Sequence, residues 1–107
     1  MIATETVFAP VPQALAPHEQ RRERALLDLL KASTIAHVET ADGYLLRIAG
    51  GAPTLAQLGD LIALARRRCP FLGFDLRCPP EDGEVALRIW GPHEAKASIR
   101  GMFVEQS

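Results

Sequence analysis

The chain has little cysteine and almost no charge imbalance, and each shortage closes off a class of function. Its two cysteines, Cys69 and Cys78, stand too far apart for a CxxC site. That spacing gives neither a secreted disulfide framework nor a zinc ribbon. On an extended strand they would lie roughly 23 Å apart at about 3.3 Å per residue, whereas bridged Cα atoms lie within about 7 Å. Twelve basic residues face thirteen acidic ones, for a net charge of -1. No global field therefore recruits nucleic acid or an anionic membrane. No apolar run approaches the roughly 18 residues of a membrane span. Residues 1–17 lack the basic start and continuous apolar stretch of a secretory signal, so reduced thiols and a cytoplasmic location are expected. GxGxxG, Walker A, GxSxG and HExxH patterns are missing as well, and no cofactor is called for.

What is present is architecture. The length of 107 residues and the 48% apolar content suit one domain with a core. Asp42-Gly43-Tyr44-Leu45-Leu46-Arg47-Ile48-Ala49-Gly50 is echoed by Asp82-Gly83-Glu84-Val85-Ala86-Leu87-Arg88-Ile89-Trp90-Gly91. Asp-Gly between short apolar runs is a strong hairpin signal. Residues 1–17, with Pro10, Pro12 and Pro17, read as an extended or disordered arm, with a strand exchanged between subunits as the alternative. Residues 18–107 read as one domain.

Helix one is expected from Pro17 to about Ala32, with Leu26, Leu27, Leu29 and Leu30 inward and Arg21, Arg22, Glu23 and Arg24 in water. Strands are expected over 34–40 and 44–49. A second helix over 54–68 has Thr54 as N-cap, an inner face of Leu55, Leu58, Leu61, Ile62 and Ala65, and Arg66, Arg67 and Arg68 in its last turn. Strands over 71–78 and 84–90 follow. A third helix begins at Pro92 and buries Ala95, Ile99, Met102 and Phe103. The fold class is α+β: two hairpin-helix repeats, with a four-stranded antiparallel sheet covered by helices on one face. Period two sorts the strands. Ala36, Val38, Leu46, Ile48, Leu72, Phe74, Leu76, Val85, Leu87 and Ile89 should lie under the helices. Ile35, His37, Glu39, Leu45, Arg47, Phe71, Asp75, Arg77, Glu84, Arg88 and Trp90 should form a mixed, open face.

Chain direction should bring Tyr44, Cys69, Trp90 and His93 to one rim. A thiol beside a histidine is the minimum for an activated nucleophile or a metal site, so Cys69 and His93 are the candidates for either, with Tyr44 beside them. The competing reading is a half-buried cysteine capping the core. Gly50-Gly51 before a helix reads as a strand-to-helix turn, with a phosphate on its backbone amides as the functional alternative. On the open face, Arg47 and Arg88 occupy equivalent positions in the two repeats. They could cross-pair in a symmetric contact or clamp an anion, with His37, Phe71 and Trp90 completing the surface.

Arg66-Arg67-Arg68-Cys69-Pro70-Phe71-Leu72, Asp42-Gly43-Tyr44 and Gly91-Pro92-His93-Glu94-Ala95-Lys96 resemble a group of small bacterial proteins with no assigned activity. Their string reads Arg-Cys-Cys-Pro-Phe-Leu and their last helix opens Gly-Pro-Glu-Gly-Ala-Lys. The resemblance spans residues 22–103 and implies a shared fold. Arg68 stands where the first cysteine of the pair would be. The order of elements also looks like the pterin carbinolamine dehydratase fold, without that family's adjacent histidines, and topology does not carry function. The leading expectation is a non-enzymatic homodimer that uses the mixed sheet face, or a module for a small or anionic ligand. The alternatives are a thiol-dependent or metal-handling protein at Cys69/His93 and a small enzyme on the same rim. No nucleic acid or membrane partner is expected.

Overall fold

Pro17 begins the first helix because its fixed φ suits the first turn and its missing amide costs nothing there. Helix α1 (Pro17–Ser33) is closed at its start by the Ala16 amide, which donates to Glu19 Oε1 at 2.9 Å. The computed structural model describes residues 11–81 and 83–105. Strands β1 (Thr34–Glu39) and β2 (Gly43–Ile48) form the first hairpin. Helix α2 (Leu55–Arg68) carries a reciprocal cap: Gln57 N–H donates to Thr54 Oγ1 at 3.1 Å, and Thr54 N–H to Gln57 Oε1 at 2.8 Å. Strands β3 (Gly73–Arg77) and β4 (Val85–Trp90) form the second hairpin. The Asp82 half of its Asp-Gly turn lies outside the described residues. The last helical stretch changes type along its length, from a 3-10 turn (His93–Ala95) through α3 (Lys96–Ile99) to a π turn (Arg100–Val104).

All strand pairs are antiparallel, in the order β1-β2-β4-β3, and the helices cover one face. The fold is α+β, as the alternating periodicities require. Leu46 and Leu87 oppose each other at the centre of the sheet. Leu30, Leu58, Leu61, Ile99 and Phe103 close over them, together with Ile48 and Ile89, in one core. Phe74 meets Phe103 edge to face, with ring centres 5.9 Å apart. Each such side chain contributes about 1.5–3 kcal/mol when fully buried.

Four expectations need correction. In β1, Thr34 pairs with Ile48 but Ala36 with Arg47, so a bulge at Ile35 reverses the faces of the rest of the strand. His37 and Glu39 therefore point to the helix side, opposite Leu46 and Tyr44, while Ala36 and Val38 join the open face. Glu23, expected in water, is fully buried. Leu55, expected in the core, is 55% exposed. Phe71 precedes β3 and packs half-buried against the core, so it is not part of the open face.

The expected arm falls largely on residues 1–10, outside the described residues. Residues 11–16 are fastened to the end of α2. Val11 N–H donates to the Arg68 carbonyl at 2.9 Å, Arg67 Nη2 donates to the Ala14 carbonyl at 2.9 Å, and Leu15 is buried. Among the described residues no helix is long and apolar enough to cross a membrane.

Candidate functional site

The open face follows directly from the register. Gly43, Trp90 and Gly73 form one cross-strand row. Val38, Leu45, Arg88 and Asp75 form the next, and Ala36, Arg47, Ala86 and Arg77 the third. Cross-strand partners share a face, so these residues make one continuous surface. No helix covers it. Val38 is 53% exposed, and Trp90 and Leu45 are half-buried by their neighbours on the sheet itself.

Trp90 lies between two glycines. A Cβ on Gly73 would meet the indole at 2.4 Å, so the ring lies flat across β3 where a side chain would stand. The Arg88 guanidinium sits 4.6 Å from the ring centre, a cation-π contact. Arg88 Nη2 also donates to both carboxylate oxygens of Asp42 at 3.1 Å. Arg47 grips Glu84 through two hydrogen bonds, of 2.8 and 2.6 Å. That pairing lowers the Glu84 pKa and raises that of Arg47. Both arginines are thus already held by carboxylates, which limits what either offers a free anion. Asp75 and Arg77, on the outer strand, have no ion-pair partner among the described residues. Three arginines and three carboxylates on and around one face leave it balanced.

The expected rim is one end of the sheet, but its members divide between the two faces. Tyr44 is buried on the helix side, with its hydroxyl 3.4 Å from Arg100 Nη1 and its ring edge-on to His37. Trp90 is on the open side. His93 is exposed at the start of the last helical stretch, and no hydrogen bond or ion pair among the described residues joins it to Cys69. Cys69 is the C-cap of α2, fully buried, with Sγ 3.6 Å from Met102 Sδ. Burial pushes its thiol up to about 11, with Arg68 opposing and Glu23 adding to the rise. Such a thiol is almost wholly protonated at neutral pH and is a poor nucleophile or ligand. Cys78 is a free, exposed thiol at the far end of β3. Among the described residues no group of three or more His, Cys, Asp or Glu is placed to hold a metal.

The Gly50-Gly51 turn is a tight passage from strand to helix. Gly51 has φ 102°, which favours glycine, and a Cβ on Gly50 would meet the Gly83 carbonyl at 2.6 Å. Sequence reasoning missed the buried pair of Glu23 and Arg68, beside Cys69. Arg68 Nη1 donates to Glu23 Oε1, while Glu23 Oε2 and Arg68 Nε are buried with no hydrogen-bond partner among the described residues. The signal for it was the place of Glu23 on the Leu26/Leu27/Leu30 side of α1.

No protein-family model, curated protein or solved structure matches the chain. The functional reading therefore rests on the site itself.

Proposed function

We propose that the protein is a binding module without catalytic activity, which associates with a second copy of itself through the open sheet face. The observation that carries this reading is the uncovered row of Val38, Leu45, Arg88 and Asp75 beside the flat Trp90 indole. A continuous face with apolar groups among balanced charges suits a self-complementary contact about a two-fold axis. Asp75 and Arg77 are two residues apart on the outer strand, so a two-fold axis can bring each opposite the other's counterpart.

Size limits the strength of this contact. Strands about 4.8 Å apart, with about six residues at about 3.3 Å each, give a four-stranded face of roughly 400 Å² in outline. A stable interface covers about 800 Å² per partner. The dimer is accordingly a weak one, in the micromolar range. Sedimentation equilibrium tests it: the native chain should show a concentration-dependent dimer, and Val38→Asp should show only monomer with an unchanged fold. A native chain that stays monomeric at high concentration would refute the reading.

A further inference from the structure

The helix side of the molecule carries a groove of about 590 Å³, lined along α1 from Pro17 to Lys31 and walled on its other side by Gly101 and Met102 of the π turn. At about 1.5 Å per residue that stretch of helix is about 21 Å long. A cavity of this volume drawn out over that length is a shallow channel. It suits a row of side chains from a peptide better than a compact ligand. A Cβ on Gly101 would meet nothing within 4 Å, so that wall is low and open. Leu27 and Met102 give the channel an apolar part.

The charge of this groove is local and opposite in sign to that of the chain, which is -1 overall. Arg21, Arg24, Asp28 and Lys31 recur at spacings of three, four and three residues, so they form one stripe of α1 along the groove. Seven of the twelve lysines and arginines hold a carboxylate among the described residues. The five that do not are Arg21, Arg24, Lys31, Arg66 and Arg77, so the unpaired cations gather on this stripe. Arg68, also in the lining, is taken by Glu23, and that pair adds no net charge. Like charges one turn apart on a helix are mutually destabilising, and no carboxylate bridges Arg21 and Arg24 among the described residues. Carboxylates from outside the chain would remove that repulsion.

We propose that this groove docks an acidic amphipathic helix of another protein. Two helices laid side by side share the same rise, so carboxylates repeated at α1's own spacing meet Arg21, Arg24 and Lys31 in step. A base in the partner answers Asp28, which fixes the register, and an apolar residue between them meets Leu27 and Met102. The contact uses the side of the molecule away from the open sheet face and is independent of self-association there.

Fluorescence anisotropy of the full chain with labelled synthetic helices tests this. The probes are alanine- and leucine-based peptides of about four turns. One carries Glu, Glu, Lys and Glu at the spacings of the α1 stripe, and the other carries Glu, Lys, Glu and Glu, so that both chain directions are covered. One of the two should bind at low salt with a Kd of about 10–500 μM, and added salt should weaken it. A peptide with every Glu and Lys exchanged should not bind. Arg21→Gln/Arg24→Gln changes two exposed side chains, and it should weaken binding at least about fivefold at an unchanged melting temperature. Lys31→Gln should weaken it as well and decides alone if the double variant does not fold. Arg66→Gln removes an unpaired cation outside the groove and should leave binding unchanged. No anisotropy change with either peptide up to about 1 mM, equal weakening by Arg66→Gln, or tighter binding of oligo(dT) or phosphatidylserine vesicles than of the better peptide would each overturn the proposal.

Discussion

The indole of Trp90 occupies the space that a side chain at Gly73 would fill: a Cβ built there would lie 2.4 Å from the ring. The two residues are register partners on β4 and β3, so the glycine sets the orientation of the ring. With Arg88 stacked at 4.6 Å, the indole becomes a flat part of the open face instead of projecting from it.

Gly73→Ala should therefore displace the ring rather than merely crowd it. Overpacking of this kind costs about 1–3 kcal/mol. The expected outcome is a lower melting temperature together with a red shift in the emission of Trp90, the chain's one tryptophan. Unchanged emission would mean that the ring does not depend on the glycine.

The two thiols should separate cleanly by reactivity. With Cys69 buried and its thiol near 11, alkylation of the folded protein at neutral pH should label Cys78 alone. Mass spectrometry should find one label per folded chain and two after unfolding. Cys69→Ser should cost about 1–3 kcal/mol by placing a hydroxyl against Met102 without an assured partner. Fast labelling of Cys69 would revive the thiol-dependent reading.

The Glu23–Arg68 pair should behave as a unit. Replacing Arg68 by methionine leaves the buried Glu23 carboxylate without its counterion, a loss of about 3–5 kcal/mol, while replacing Glu23 should cost less because the Arg68 side chain is 23% exposed. The double replacement should recover roughly half of that or more, because no charge remains to be solvated. Urea denaturation of the four proteins measures the coupling, and strictly additive losses would contradict it.

Acid should weaken the fold through its surface carboxylates. Arg67 and the Ala16 amide hold Glu19 below the ordinary glutamate value of 4.5; Lys96 does the same for Glu39, and Arg47 for Glu84. A carboxyl group with a depressed folded pKa stabilises the native state above its unfolded value. It loses that contribution as pH falls through the folded one. Stability should thus be flat around neutrality and decline below about pH 4.5. Glu19→Gln should flatten part of the decline. A melting temperature independent of pH down to about 3 would contradict the assignment.

Most of the architecture was legible because its signals are local. Asp42-Gly43 marks the first hairpin, Thr54 the N-cap of the second helix, and Pro17 the first turn. The helix-facing sides of β2 and β4 follow from simple alternation, which put Arg47, Arg88 and Trp90 on the open face. What was not legible depends on distant partners. Thr-Ile-Ala-His-Val-Glu carries apolar residues at both parities, and its facing is decided by how β2 pairs with it on either side of Ile35. Glu23 reads as solvent-facing in a charged run. Its burial becomes intelligible only beside Arg68, 45 positions away in the chain. The rim residues were placed at the correct end of the sheet, but that end has two faces, and Tyr44 and Trp90 lie on opposite ones.

Trp90 also provides the most direct measurement of self-association, because it is the single tryptophan and lies on the proposed contact. Its emission should be followed as the protein is diluted from about 100 μM to about 0.1 μM, alongside the sedimentation mass. Self-association through the open face requires a red shift on dilution, with the same midpoint as the loss of dimer mass. Constant emission and a monomer mass over the whole range would contradict it.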